Sequence, residues 1–126
     1  MVYVEYALSS PHRPERAFDR LTRWEDHSVP FTRIRRTPEG FTARTGLGPL
    51  AFDDPMVIAR WEPGRRVELI KRGRVVRGWA VIEVAPDGEG SRVVWREELG
   101  VPGMPGVLLR GPSRWMVRHL VRRLVG

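Results

Sequence analysis

The end of the chain carries a helical repeat of charged and apolar side chains. The arginines are Arg110, Arg114, Arg118 and Arg122, and the apolar residues on the opposite arc are Leu109, Trp115, Met116, Leu120 and Leu124. This spacing predicts an amphipathic helix over residues 107–125, long enough to cross a small domain. Because most of the preceding chain has the period of β-strands, this helix has to cover a sheet. Such an arrangement tends to enclose a pocket.

The preceding chain alternates short apolar runs with turn residues. Residues 1–8 alternate in polarity and predict a strand rather than a signal peptide, since they lack a basic flank and a continuous apolar core. A helix is predicted over 14–22, because proline is tolerated in a first helical turn, and one more short helical turn over 24–28. Further strands are predicted over 31–37, 41–45, 56–61, 67–72, 75–85 and 91–99, separated by glycine and proline turns. Connections this short favour antiparallel neighbours.

Length and residue types exclude several classes of protein. The 126 residues show no break in composition, so a single domain over 1–126 is predicted. There is no cysteine, and the three histidines, His12, His27 and His119, lack the spacing of metal ligands. No glycine-rich phosphate loop is present either, so neither a metal nor a cofactor is predicted. No run of residues is long and apolar enough for membrane insertion, and a cytoplasmic protein is expected.

The net charge of +7 raises the question of a nucleic-acid partner. Lys71 is the single lysine among 22 basic residues, and asparagine and glutamine are absent, a bias typical of a GC-rich bacterial genome. The arginines are also spread along the chain and interleaved with acids. We therefore predict no nucleic-acid surface. The protein is expected to be either a monomer or a homodimer.

Several short motifs resemble one known superfamily. They are Ser-Pro-x-x-Pro-Glu-Arg-Ala-Phe after the first strand, the segment 24–30, Trp-Glu-Pro-Gly-Arg from position 61, Gly-Ser-Arg-Val-Val-Trp from position 90, and the terminal helix. Together they resemble the Bet v 1-like, START-like (SRPBCC) superfamily, whose bacterial members include polyketide cyclase/dehydratase and lipid-transport proteins. The resemblance implies an α+β helix-grip fold. In that fold a curved antiparallel sheet of about seven strands wraps around a long C-terminal helix, two short helices follow the first strand, and an apolar cavity lies between sheet and helix.

Strand alternation predicts which side chains face that cavity. The apolar alternate positions place Val57 and Trp61 inward, then Ala80 and Ile82, and then Trp95. Flat aromatic rings suit a planar ligand. The predicted ligand-binding residues are Tyr6, Trp24, His27, Val57, Trp61, Ala80, Ile82, Trp95, Glu97 and Trp115.

Glu97 is the one carboxylate on a predicted inward face. A buried carboxylate has to be paired, protonated or hydrated, so Glu97 is either a polar anchor for a ligand or, as we favour, paired with an arginine. Tyr6 and His27 are the other candidates for moving a proton. Asp26 precedes His27, but neighbours in sequence do not face each other on a regular element.

The predicted function is the binding of a small hydrophobic molecule, lipid-like, polyketide-like or aromatic, in a cavity between the sheet and the C-terminal helix. A cavity of several hundred cubic ångströms lined by the tryptophans would support it. We expect binding rather than catalysis. One alternative is a polyketide aromatase/cyclase-type enzyme in which Glu97, Tyr6 or His27 moves protons. The other is a protein-interaction module that uses the arginines of the terminal helix.

Overall fold

The computed structural model describes residues 1–27 and 32–126. Its elements are β1 (Val2–Ser10), α1 (Pro14–Leu21), β2 (Thr32–Thr37), β3 (Gly40–Thr45), β4 (Phe52–Glu62), β5 (Arg66–Arg72), β6 (Arg77–Asp87), β7 (Gly90–Gly100) and α2 (Gly106–Val125). All seven strands form one antiparallel sheet in the order β1-β7-β6-β5-β4-β3-β2. The predicted α+β fold, a curved sheet with a long C-terminal helix, is confirmed.

The connection between β1 and β2 differs from the prediction. Among the described residues of this connection, α1 is the one α-helix. The second predicted helix is a 3-10 turn over Trp24–His27, in which the Asp26 N–H donates to the Arg23 carbonyl at 2.9 Å. This bond joins residues three apart, as in a 3-10 turn, whereas an α-helical bond joins residues four apart. The predicted ends at Ser28 and Pro30, and the predicted strand start at Phe31, lie outside the described residues.

Helix α2 packs one apolar stripe against β1, α1 and β7. Its buried residues recur at helical spacing: Ser113, Val117, Leu120, Val121, Leu124 and Val125. The predicted apolar arc is wrong in part, because Trp115 is 57% exposed and Val117 and Val121 take the inner positions. The valines are the better fit to the close approach of helix and strand.

The C-terminal end of α2 is tied to the start of the chain. The Ser10 hydroxyl donates to the Val125 carbonyl at 2.5 Å, and Arg20 Nε donates to the Leu124 carbonyl at 2.5 Å. These are carbonyls that a helix leaves without an internal partner. The last turn of α2 is therefore held against β1 and α1.

Strand β4 contains a bulge that changes which side chains face inward. Before it, Met56 lies opposite Phe41 and packs on the core, so the prediction that Val57 faces inward is wrong. After the register shift between Ile58 and Arg60, Trp61 lies opposite Val67. An extra residue in one strand reverses the alternation of inward and outward side chains. A prediction from strict alternation therefore fails on one side of the bulge.

The small residue Gly78 is required where β6 passes β7. Its φ is +146°, and a Cβ there would lie 1.8 Å from the Glu98 carbonyl oxygen. Gly88, in the β6–β7 turn, also has a positive φ, of +59°, but a Cβ would meet nothing within 4 Å.

We expect Gly78→Ala to lower the free energy of unfolding by more than about 3 kcal/mol, because the methyl group overlaps the backbone of β7. The matched control Gly88→Ala should lower the free energy of unfolding by only about 1 kcal/mol, the cost of placing an alanine at a positive φ. Urea unfolding followed by circular dichroism measures both. Equal losses in the two variants would contradict the steric argument.

Candidate functional site

A cavity of about 80 Å³ lies between α2 and the inner face of the sheet. Helix α2 contributes Met116, Val117 and Leu120 to its wall. Strands β3 to β7 contribute the opposite wall, which combines apolar side chains with the charged ones described below. Thr32 and Ile34 of β2 stand at the half-buried edge, so the cavity reaches toward the surface there.

A larger groove, of about 770 Å³, lies at the β4–β5 turn. Its charged walls are already paired: Arg66 bonds Glu83 at 3.1 Å and Glu68 at 3.0 Å. These side chains are about one-third exposed and the groove is open to solvent. The smaller cavity, between helix and sheet, is therefore the candidate site.

The cavity exists because β6 carries small residues near its start. Lys71 of β5 lies opposite Gly78, and Leu69 lies opposite Ala80, which in turn lies opposite Glu97 of β7. Glycine has no side chain and alanine only a methyl group. The long side chain of Lys71 therefore passes over β6 and approaches Glu97 on the strand beyond.

Three charged side chains meet in this wall. The Lys71 ammonium lies 3.5 Å from Glu97 Oε2 and 3.6 Å from Asp54 Oδ2, and it donates weakly to Met56 Sδ at 3.7 Å. Glu97 is 2% exposed and Lys71 6%. Both nitrogen–oxygen distances exceed the roughly 2.7–2.9 Å of a tight charged hydrogen bond. The ammonium is thus shared between two carboxylates without a close bond to either.

Burial controls the protonation of this cluster. Burial raises the pKa of Glu97 and of Asp54, and the ammonium of Lys71 opposes the shift in both. Two carboxylates beside one ammonium would leave an unbalanced negative charge in a medium of low dielectric constant. The cluster therefore holds a proton more firmly than free carboxylic acids do.

Three buried polar atoms around the cavity have no hydrogen-bond partner among the described residues. They are Asp54 Oδ1, Glu97 Oε1 and Trp95 Nε1. Two are acceptors and one is a donor, and each unsatisfied group costs about 1–3 kcal/mol. A polar group placed between them would be recognised by both donation and acceptance.

His27 lines the same cavity as a neutral ring. Burial lowers its pKa to about 4, and its Nε2 lies 2.5 Å from the Leu21 carbonyl. Because a carbonyl only accepts, Nε2 carries the proton and Nδ1 is left as an acceptor. Asp26 is exposed, so the two neighbours form no buried dyad.

Four of the predicted binding residues line the cavity: His27, Ala80, Trp95 and Glu97. Glu97 points inward as predicted, but its partner is Lys71 rather than an arginine. The expectation of an arginine is wrong, because the longer guanidinium groups lie on the outer face of these strands. The roles of these four residues in binding or proton transfer stay predictions.

The other predicted residues lie elsewhere. Tyr6 accepts a hydrogen bond from Arg122 Nε at 3.0 Å, and Trp24 stacks on Phe41 with 4.6 Å between ring centroids. Ile82 is fully buried in the core.

The two outermost tryptophans also lie outside the cavity wall. Trp61 packs edge-on against Phe18 at the end of the sheet and is 45% exposed, and Trp115 stacks on His119 at the surface. Val57, on the opposite face of β4, does not line the cavity either.

The cavity is smaller than the several hundred cubic ångströms that would support binding directly. Of the five tryptophans, Trp95 alone contributes to the wall of this cavity. Side chains such as Phe41, Leu69 and Val117 fill most of the space between helix and sheet. The enclosed volume is that left by the small residues of β6.

Sequence reasoning missed Lys71 and Asp54. A signal for Lys71 was present, since it alternates with Val67 and Leu69 on one face of β5 and is the single lysine of the chain. Asp54 becomes an inner residue through its pairing with Ala43, which only the register of β3 and β4 reveals.

Within 1–27 and 32–126, no group of three or more His, Asp or Glu side chains is placed to hold a metal ion. Over the same residues, no helix has the length and apolar character needed to span a bilayer.

Comparison with known proteins shows the fold. No protein-family model and no curated protein matches the sequence. A conserved protein from Geobacillus kaustophilus superposes with a TM-score of 0.78 at 12% identity, over 95% of this chain and 90% of that one. The Aha1 dimer from Colwellia psychrerythraea gives 0.65 at 12% identity, over 99% and 97%. DynU16, from the dynemicin biosynthetic locus, gives 0.63 at 19% identity, over 98% of this chain and 47% of that one.

The stability of the fold should depend on the ionisation of His27. Its pKa is about 4 in the folded protein, below the 6.5 of a free histidine, so the unfolded chain binds more protons between these values. Stability is then lost as the pH falls from about 6.5 to about 4, by up to ~1.4 kcal/mol per pH unit. Urea unfolding at several pH values, compared with His27→Gln, isolates this contribution from that of the carboxyl groups.

The control for this measurement is His12→Gln, which removes a histidine from the loop after β1. It should retain the pH dependence of the unchanged protein. A His27→Gln protein with an unchanged slope would show that folding does not lower the pKa of His27.

Removing the Lys71 ammonium should destabilise the fold strongly. Lys71→Met leaves Asp54 and Glu97 without their counter-ion, and we expect a loss of about 3–5 kcal/mol in the free energy of unfolding. The control is Arg44→Met, which breaks the exposed pair with Asp53 on the neighbouring strands and should cost less than ~1 kcal/mol. Similar losses in both variants would show that the buried pair is as weak as a surface one.

Proposed function

We propose that this domain binds a small amphipathic molecule in the cavity between α2 and the sheet. The observation that carries the proposal is the set of unpartnered polar atoms on Asp54, Glu97 and Trp95 beside an otherwise apolar wall. Sites for small molecules combine these two features, because apolar contact supplies affinity and a few polar groups fix orientation.

The polar end of the ligand follows from these atoms. Asp54 and Glu97 offer acceptor oxygens, and the Trp95 N–H offers a donor. A hydroxyl or a primary amide donates and accepts at once and satisfies both kinds of group. A carboxylate ligand is disfavoured, because it would bring a third negative charge beside two carboxyl groups and one ammonium.

The apolar end follows from the shape of the cavity. Its volume of about 80 Å³ is smaller than the roughly 150 Å³ cavity known to admit benzene. A longer ligand therefore extends past Met116 and Ile34, which are half-buried at the edge. The flexible side chain of Met116 adjusts easily to a bound ligand. Each square ångström of apolar ligand surface that becomes buried contributes about 25 cal/mol to binding.

The three predicted ligand classes, lipid-like, polyketide-like and aromatic, all include molecules with one polar and one apolar end. The similarity to DynU16, from the dynemicin biosynthetic locus, supports a small organic ligand. The buried charges favour a molecule with a polar end over a wholly apolar one. They make the polar end a larger part of recognition than in the small hydrophobic ligand that the sequence predicted.

1-Hexanol, with hexanoate as its anionic counterpart, tests the proposal. Titration of 1-hexanol should shift the Trp95 indole N–H resonance in a saturable way, because the alcohol oxygen accepts that hydrogen bond. The indole signals of Trp61 and Trp115 serve as internal references, since these side chains lie outside the cavity. Hexanoate should bind at least about 10-fold more weakly, since each 1.4 kcal/mol of repulsion is a factor of ten.

Glu97→Met tests the polar anchor and leaves Lys71 paired with Asp54. It should weaken 1-hexanol binding about 5- to 10-fold, the effect of one hydrogen bond. Glu83→Met, on the outer face and paired with Arg96, should leave binding unchanged. The proposal fails if no probe gives a saturable shift at Trp95, or if the shifts occur at the surface tryptophans instead.

A further inference from the structure

The C-terminal part of the chain is a continuous region of positive charge. No aspartate or glutamate follows Glu98, whereas α2 alone carries Arg110, Arg114, Arg118, Arg122 and Arg123. All five arginines are exposed. Much of the net charge of +7 is therefore concentrated on this helix.

Two of these arginines are bound within the fold. Arg122 donates to the Tyr6 hydroxyl and Arg123 to the Asp26 carbonyl. Among the residues that the structure describes, Arg110, Arg114 and Arg118 form no ion pair. Their guanidinium groups are available to a partner.

Large apolar side chains stand exposed between these arginines. Val107 is 80% exposed and Leu108 62%, and Trp115 is more than half exposed. Leu108 and Trp115 are seven residues apart, about two helical turns, so they lie on the same side of α2. We call Val107, Leu108, Arg114, Trp115 and Arg118 the outer face of α2.

The composition of this face selects among the possible partners. A second copy would bring two arginine-rich helices together, and like charges oppose that contact. A nucleic acid would pair with the arginines but would leave Leu108 and Val107 against a polar, hydrated backbone. An anionic membrane surface accommodates both, because phosphate groups meet the arginines while tryptophan and leucine enter the boundary between headgroups and acyl chains.

We propose that the outer face of α2 adsorbs to anionic phospholipid surfaces. The helix lies on the bilayer and does not cross it, in agreement with the lack of a spanning helix among the described residues. None of the five side chains lines the internal cavity, so this inference does not depend on the proposed function.

Sedimentation with lipid vesicles tests the proposal. The protein should bind vesicles of phosphatidylcholine mixed with phosphatidylglycerol at least about 10-fold more tightly than vesicles of phosphatidylcholine alone. Raising the salt concentration should weaken this binding, since it screens the arginines. Trp115 fluorescence should shift to shorter wavelength on binding, because the indole leaves water.

Two double variants separate the charged and apolar contributions. Arg114→Gln with Arg118→Gln should lower the affinity for anionic vesicles about 10-fold or more. Leu108→Ser with Trp115→Ser should lower it to a similar extent while leaving the charge unchanged. The control is Arg33→Gln with Arg35→Gln, which removes two exposed arginines from β2 and should bind nearly as well as the unchanged protein.

Three outcomes would overturn the proposal. Equal binding to neutral and anionic vesicles would remove the electrostatic part. An equal loss in the β2 control would show a response to net charge alone. Tighter binding to DNA or to polyglutamate than to anionic vesicles would identify this face as a site for another polyanion. Circular dichroism of each variant shows whether the fold is retained.

Discussion

The packing of α2 across the inner face of the sheet is the contact on which the rest of the structure depends. Val117, Val121 and Val125 are almost fully buried against β1 and its neighbours, and Ser10 and Arg20 hold the last carbonyls of the helix. This contact closes the cavity on one side. It also determines that the opposite side of the same helix faces solvent.

The charged cluster is the exception within this apolar interface. The other ion pairs of the described residues are partly or largely exposed, and such pairs add little stability because water competes for each partner. Lys71, Asp54 and Glu97 are instead buried, where the loss of hydration is large. Replacing such a buried group with well-packed apolar residues is often neutral or stabilising, so stability alone does not account for this trio.

Much of the fold could be predicted from the sequence. Alternation along the strands and the glycine and proline turns predicted the antiparallel sheet, and the inward position of Glu97 followed from the arginines on the other face of β7. The same alternation predicted the wrong orientation for Val57 in β4, because a bulge between Val57 and Trp61 changes which face successive side chains occupy. It also missed Asp54, whose orientation depends on pairing with Ala43 of another strand.

The sequence by itself determined the strand and helix pattern, the polarity of most faces and the concentration of arginines near the end of the chain, because these depend on side-chain type and local period. Only the tertiary structure decided that Lys71 reaches Glu97 across Gly78 and Ala80, that the cavity holds about 80 Å³, and that Trp115 faces outward. These features depend on strand register and on the rotation of α2 about its axis. Both are decided by contacts between residues far apart in the chain, which no local pattern records.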